Sequence, residues 1–295
     1  MKKICVFGGG GFLGSHVADS LSDAGNSVRI FDRTRSFWLR EDQEMIIGDI
    51  LDCEKVKSAV EECEVVYNFA ALSDLNEALD KPLDTIRTNI LGNAHIMDAC
   101  RQHGIKRYIY ASTIYVNSRQ GGFYRCSKQA AESYINEYHH TYGLDYTILR
   151  YGSLYGPRSG ENNGLYKIVK EALRSGVVSY AGSADAMREY IHVSDAAKAS
   201  VAAMGADFSN ESIVLTGPQT MRVSDLLEIL SEILGLGQSI EYSDDVLLGH
   251  YVRTPYAYQP KLARKYVLPM HIDLGQGLIE LIEEVNTKFS GADKK

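Results

Sequence analysis

The chain has 295 residues, 45% of them hydrophobic and 23% charged, and carries a formal net charge of −7. That length suits one large or two closely joined domains, with a core that needs no disulfide or metal staple. The acidic balance excludes the basic stripe that a nucleic acid or an anionic membrane surface would require, although a few arginines can still build a local pocket for a small anion. Cys5, Cys53, Cys63, Cys100 and Cys126 are odd in number and show no C-x-x-C or Cys/His ligand spacing. They read as reduced thiols of a cytoplasmic protein, with no metal site. Lys2 and Lys3 precede a short apolar run that soon meets glycines, too short for a signal peptide, and no stretch approaches a membrane span.

In chain order, short apolar or β-branched runs alternate with amphipathic stretches. Residues 3–7 read as a strand, 13–24 as a helix and 27–32 as a strand. A weaker strand over 44–48 precedes a helix from about Asp52. A strand over 65–69, one helix over 83–103, a strand over 107–111, a helix over 124–142 and a strand over 146–150 complete the first half. Such alternation implies a doubly wound parallel sheet covered on both faces, the Rossmann type of α/β fold. The run Tyr155-Gly156-Pro157-Arg158-Ser159-Gly160 is a turn-rich break. Beyond it lie helices over 223–234 and 274–288, and a tail over 291–295 expected to fray. The division expected is a dinucleotide-binding domain over 1–152, to which about 190–205 return, and a smaller α/β substrate domain over 153–295.

Gly8, Gly11 and Gly14 fit G-x-x-G-x-x-G at the first strand-to-helix turn, with Phe12 and Leu13 between them. A phosphate there needs exposed backbone N–H groups and the positive end of a helix, and side chains would block its approach. Asp32 ends the next strand, where an acid accepts from adenosine ribose hydroxyls and repels a 2′-phosphate. NAD is therefore expected over NADP, although Arg33 and Arg35 could hold such a phosphate. In Gly48-Asp49-Ile50, Asp49 would accept from the adenine amino group and Ile50 would pack on the ring; a G-D turn capping a helix at Asp52 accounts for the residues equally well. Phe69, Ala70 and Ala71, after Asn68, end the fourth strand at the same crevice.

Tyr124 and Lys128 lie four apart, on one helical face. A tyrosine pKa near 10 is too high for a base at neutral pH. A lysine cation about 5 Å away, at an effective dielectric of about 20, contributes about 3 kcal/mol, some two pK units toward phenolate. Tyr124 could then remove a hydroxyl proton while hydride leaves the same carbon. The spacing recurs at Tyr166 and Lys170, which lie beyond the turn-rich break and read as an exposed amphipathic helix. Ser112 and Thr113 end the fifth strand at the carboxyl edge of the sheet, where Thr113 would bond the reacting oxygen.

Taken together, the ordered series of Gly8–Gly14, Asp32, Gly48-Asp49-Ile50, Asn68–Ala71, Thr88-Asn89, Ser112-Thr113, Tyr124…Lys128, Leu149-Arg150-Tyr151, Leu154–Arg158 and Arg188–Val193 resembles the extended short-chain dehydrogenase/reductases, the NAD-dependent nucleotide-sugar epimerase/dehydratase family. The resemblance runs to about Leu268. It implies NAD as cofactor, and a sugar carried on a nucleoside diphosphate as substrate. Among the residues, it implies that Asn89 orients the active-site helix, that Tyr151 borders the cofactor, and that Ser153, Asn163, Arg188 and Arg253 contact substrate, the two arginines on its diphosphate. His192 reads as structural. It also implies a homodimer pairing the helices over 83–103 and 124–142. Three departures stand out. Ile114 and Tyr115 occupy the places of the Asp-Glu pair that sugar 4,6-dehydratases use, the link from Thr113 to Tyr124 is short, and Ser153 replaces the usual Asn. The implied activity is 4-epimerisation through a transient 4-keto sugar. A net 4-dehydrogenase or keto-sugar reductase is the alternative, with a non-catalytic NAD(H)-binding regulator as a third reading.

Overall fold

The computed structural model describes residues 1–237, 240–243, 250, 252 and 264–292. Its first half runs β1 (Lys3–Phe7), α1 (Phe12–Asp23), β2 (Ser27–Asp32), β3 (Gln43–Ile47), α2 (Cys53–Val60), β4 (Val65–Asn68), α3 (Leu75–Asp80), α4 (Pro82–Ile86), a π-helical turn (Arg87–Gly92), α5 (Asn93–Gln102), β5 (Arg107–Thr113), a 3-10 turn (Ile114–Asn117), α6 (Gly122–Tyr142) and β6 (Tyr146–Tyr151). The second half runs β7 (Ser153–Tyr155), α7 (Gly164–Ser175), β8 (Val178–Ala181), β9 (Met187–Arg188), β10 (Tyr190–His192), α8 (Val193–Ala202), β11 (Glu211–Leu215), β12 (Met221–Arg222), α9 (Val223–Ile233), β13 (Ile240–Ser243), β14 (Arg264–Lys265) and α10 (Leu274–Ala292).

Eight strands form one parallel sheet in the order β14-β11-β6-β5-β4-β1-β2-β3. The central strands are buried on both faces, so they read as unbroken apolar runs such as Ile4-Cys5-Val6-Phe7. One face carries α1 and α8, which meet through Ala18 and a row of alanines on α8. The other carries α2, α5 and α6 over Phe7, Phe31, Val66 and Tyr108. A separate core, built on Tyr155, Val169, Leu226, Leu230 and Leu281, joins α7, α9 and α10 into a smaller unit beside the sheet.

Three expectations change here. The helix expected over 83–103 is interrupted: it starts earlier, breaks at Lys81-Pro82, and contains the π-turn before continuing as α5. The part of the chain that returns to the sheet is longer than 190–205, because β11 pairs with β6 and β14 pairs with β11. Those strands have only five and two residues, which left them without a readable alternation. The last helix continues to Ala292, into the tail expected to fray.

Candidate active site

The strand order reverses between β1 and β4, and ligands of open parallel sheets bind in the crevice outside such a point. A cavity of about 360 Å³ lies there. Gly8, Gly11, Phe12, Leu13, Gly14, Asp32, Arg33, Asp49, Ile50, Phe69, Ala70, Ala71, Tyr124, Lys128 and Tyr151 all border it. The glycines are sterically required. Gly8 has φ +74°, and a Cβ on it would lie 2.6 Å from Ala70 N; one on Gly14 would lie 2.1 Å from Gly8 O. Gly11 opens α1 with no side-chain cap, and the first turn holds no acid, so its N–H groups and dipole are left for an anion. The Asp32 carboxylate accepts from Gly10 N at 2.9 Å and Arg33 N at 2.7 Å, which holds it at the end of β2 with lone pairs to spare for ribose hydroxyls. Ile50 is fixed from below: His95 Nδ1 sits 3.0 Å from its carbonyl, and a Cβ on Gly92 would strike its side chain at 2.5 Å. These residues fit a dinucleotide with its pyrophosphate on the N-terminus of α1.

Asn89 does not border this cavity; its neighbour Thr88 does. Asn89 instead lies buried behind the wall. Its side chain clamps Leu72 through both backbone groups, at 2.7 and 3.0 Å, and donates to Ser127 Oγ at 2.9 Å. That contact steadies α6 one residue before Lys128. Phe31, Ser73 and Gly152, which no motif singles out, also line the crevice, beside Gly48 and Ala111.

Thr113 and Tyr124 stand together at the lip of the crevice, where the threonine hydroxyl favours the phenolate, and Thr113 Oγ1 accepts from Tyr115 N at 3.3 Å. Lys128 is buried, with Nζ donating to Ala111 O at 2.6 Å and lying 5.8 Å from the Tyr124 ring centre and 4.6 Å from that of Tyr110. The electrostatics correct the simple expectation of a lysine-acidified phenol. Burial pushes Tyr124 up to about 12, with Thr113 opposing, and pulls Lys128 down to about 7. Desolvation disfavours the charged form of both groups and is the largest influence on each.

What opposes the loss of charge on Lys128 is Glu132, one helical turn further along α6. Glu132 Oε1 accepts from Ser112 Oγ at 2.6 Å and Arg150 Nε at 3.0 Å, and Oε2 accepts from Arg150 Nη2 at 2.7 Å. Both side chains of this ion pair are only 10% exposed. The spacing Tyr124, Lys128, Glu132 puts all three on one helical face, a signal the sequence itself carries.

A second cavity, of about 1250 Å³, opens from the same lip toward the smaller unit. Thr113 and Tyr124 border both cavities. Ser153, Asn163 and Arg188 line the larger one. The Asn163 amide, however, is committed to the fold: it caps α7 by accepting from Tyr166 N at 3.0 Å and donates to Leu154 O at 2.8 Å. Arg188 is buried, with Nη1 donating to Met187 O at 3.0 Å. Arg253 lies outside the described residues. Tyr166 is buried in the smaller unit's core, and Lys170 pairs with Glu161, so the second Tyr-x-x-x-Lys is structural. His192 is too. Its Nδ1 accepts from Ser194 N to cap α8, its ring packs on Tyr155, and burial pushes it down to about 4.

A sequence profile described as the NAD dependent epimerase/dehydratase family matches residues 4–216. A protein of Methanocaldococcus jannaschii named a putative UDP-glucose 4-epimerase is 28% identical over 260 residues, 80% of this chain and 84% of that protein. The UDP-N-acetylglucosamine 4-epimerase of Methanobrevibacter ruminantium, solved with UDP-N-acetylmuramic acid, superposes with a TM-score of 0.82 at 26% identity, over 98% of this chain and 99% of that one. The UDP-glucose 4-epimerase of Thermus thermophilus, solved with NAD, gives a TM-score of 0.77 at 25% identity, over 96% and 99%.

Proposed function

We propose, from the premise that the chain belongs to the NAD dependent epimerase/dehydratase family, that it moves hydride at C4 of a sugar carried on a nucleoside diphosphate, with net 4-epimerisation through a transient 4-keto sugar. The observation that carries this reading is the placing of Thr113 and Tyr124 on the lip shared by the dinucleotide crevice and the larger cavity. A substrate reaching from the larger cavity would bring its reacting carbon between them.

Bound NAD supplies the hydride acceptor and donor at C4. Thr113 holds the C4 oxygen and Tyr124 exchanges its proton. The Lys128 ammonium favours the phenolate against the desolvation that opposes it, and Glu132 favours that ammonium. Arg188 would grip the diphosphate, as a guanidinium matches two phosphate oxygens. Ile114 and Tyr115, where a dehydratase needs an acid and a base, support an outcome in which the hydroxyl is retained. The epimer forms when the keto sugar turns over before hydride returns.

The reading includes a cytoplasmic homodimer. Leu83 and Ile86 on α4, Leu91 on the π-turn, and Tyr134 and Tyr142 on α6 are exposed, and these elements pack against one another, which supplies apolar surface for a partner copy. Among the described residues no helix is long and apolar enough to cross a membrane.

Incubating the protein with NAD and UDP-, dTDP- or GDP-sugars tests the reading. A new C4 epimer with no net change in absorbance at the reduced-cofactor band is expected. A stable 4-keto product or consumption of reduced cofactor would assign net oxidation or reduction instead. Tyr124→Phe should lower turnover by roughly 10²–10⁴-fold; unchanged turnover would refute the role of Tyr124.

A further inference from the structure

We propose that Asp74, set beside Tyr115 and His250 at the reacting end of the large cavity, makes the site selective for uncharged sugars, hydroxylated or acylamino, and turns uronates away. This deepens the preceding reading and rests on it.

The three side chains come from separate parts of the chain and line the larger cavity. Ser73, next to Asp74, borders both cavities, as Thr113 and Tyr124 do, and Asp74 lies within electrostatic reach of His250. Tyr115 follows Thr113 by two residues on the 3-10 turn. Its hydroxyl reaches His250 Nδ1 at 3.2 Å, and the rings meet edge-on with centroids 6.4 Å apart. The contact depends on Gly121, at φ +99°, where a Cβ would fall 2.8 Å from the Tyr115 ring. Asp74 enters from the loop after β4. Its Oδ1 accepts from Asn76 N at 2.9 Å and Glu77 N at 2.8 Å, which anchors the carboxylate at the start of α3.

The charge at this end follows from those neighbours. Burial, and then Arg188, hold His250 below its ordinary range, with Asp74 opposing, so the imidazole is neutral at neutral pH. Arg188, in the preceding reading, is matched by the substrate diphosphate. Glu161 and Glu171, elsewhere on the cavity wall, are paired with Lys170 and Arg174. Arg158 pairs with Asp19, and Lys167 and Glu241, the other charged wall residues described, come from α7 and β13 of the smaller unit, so Asp74 is the carboxylate that the described residues place near the Tyr115–His250 couple. A carboxylate accepts hydrogen bonds and donates none. It suits a hydroxyl or an amide N–H, and it repels the carboxylate of a uronate, which is likewise an acceptor only. The Tyr115–His250 couple can donate or accept according to tautomer, which serves the same uncharged groups.

The test compares kcat/KM for UDP-glucose and UDP-N-acetylglucosamine with that for UDP-glucuronate, in the unaltered protein and in Asp74→Asn and Asp74→Glu. Asparagine caps a helix as well as aspartate does, so α3 is retained and the change isolates the charge. The unaltered protein should prefer an uncharged sugar at least tenfold. Asp74→Asn should narrow that preference at least tenfold, mainly through a lower KM for UDP-glucuronate, and Asp74→Glu should preserve most of it. Equal or better use of UDP-glucuronate by the unaltered protein overturns the inference, as does an unchanged preference in Asp74→Asn with an unaltered melting temperature. No C4 turnover on any of the three sugars would instead sink the reading on which the inference stands.

Discussion

Replacing Glu132 by glutamine removes a charge from the pair that backs the active-site helix. The Arg150 guanidinium cannot shed its charge, and with its side chain 10% exposed it has little water to turn to. Removing one partner of a buried pair costs about 3–5 kcal/mol. A chain of this length unfolds with an entropy of about 0.6 kcal/mol per degree, so the melting temperature should fall by about 5–8 °C. Glutamine can still accept from Ser112 or from one N–H of Arg150, which places the result toward the smaller figure. The same change removes the anion that favours the Lys128 ammonium. The Lys128 pKa should then drop below about 7, and the alkaline limb of the kcat/KM profile should move to lower pH. Thermal melts and a pH–rate profile on the same preparation check both effects. Glu132→Leu combined with Arg150→Met should recover most of the melting temperature, because apolar replacement of a buried pair is often neutral, yet it should not restore the pH limb. A fall in melting temperature under about 2 °C, or an alkaline limb that stays in place, would refute the argument.

Three further outcomes are expected. Gly14→Ala forces a Cβ to within 2.1 Å of Gly8 O; titration by fluorescence should show binding of reduced NAD weakened at least tenfold, and undiminished binding would remove the phosphate cradle from this turn. His192 is held down to about 4, against 6.5 in an unfolded chain, so the unfolded state gains a proton that the folded state refuses as pH falls through that window. Stability should therefore be complete above pH 6.5 and decline toward pH 4, by up to about 3 kcal/mol, an amount reduced by the Glu280 carboxylate 3.2 Å from Nε2. Urea midpoints at pH 7 and 4.5 measure this, and a His192→Asn protein with the same decline would contradict it. Sedimentation at micromolar concentration should give a dimer that Leu83→Glu, at a position 67% exposed, converts to monomer; a monomeric unaltered protein would dispose of the α4–α6 face as an interface.

The central strands β1, β4, β5 and β6 were legible because both of their faces are buried, which writes an unbroken apolar run into the sequence, whereas β3 at the sheet edge is half exposed and gave a weaker signal. The glycines were legible because backbone approach tolerates nothing larger, as at Gly8 and Gly14. Strands β11 and β14 were not, since five and two residues at a sheet margin carry too little pattern. Asn163 shows a different limit: it lines the larger cavity, yet an asparagine before an amphipathic run is also a helix cap, and its amide is engaged in that cap. The Tyr115–His250 contact spans 135 residues of chain, and no local spacing signals such a meeting. The pKa values of Tyr124 and Lys128 depended on burial, which a spacing of four residues does not disclose.

The π-turn between α4 and α5 has a consequence for how the chain is wound. Each extra residue in a helical turn advances the azimuth of everything after it by about 100°. Within the π-turn the chain aims Asn89 at Leu72 and Ser127, and after it α5 aims Ile96, Met97 and Cys100 into the layer over the sheet. A uniform α-helix across this region would have to surrender one of those two orientations. The widened turn works as a phase shifter, letting a single rod satisfy a polar clamp at one end and a greasy seat at the other.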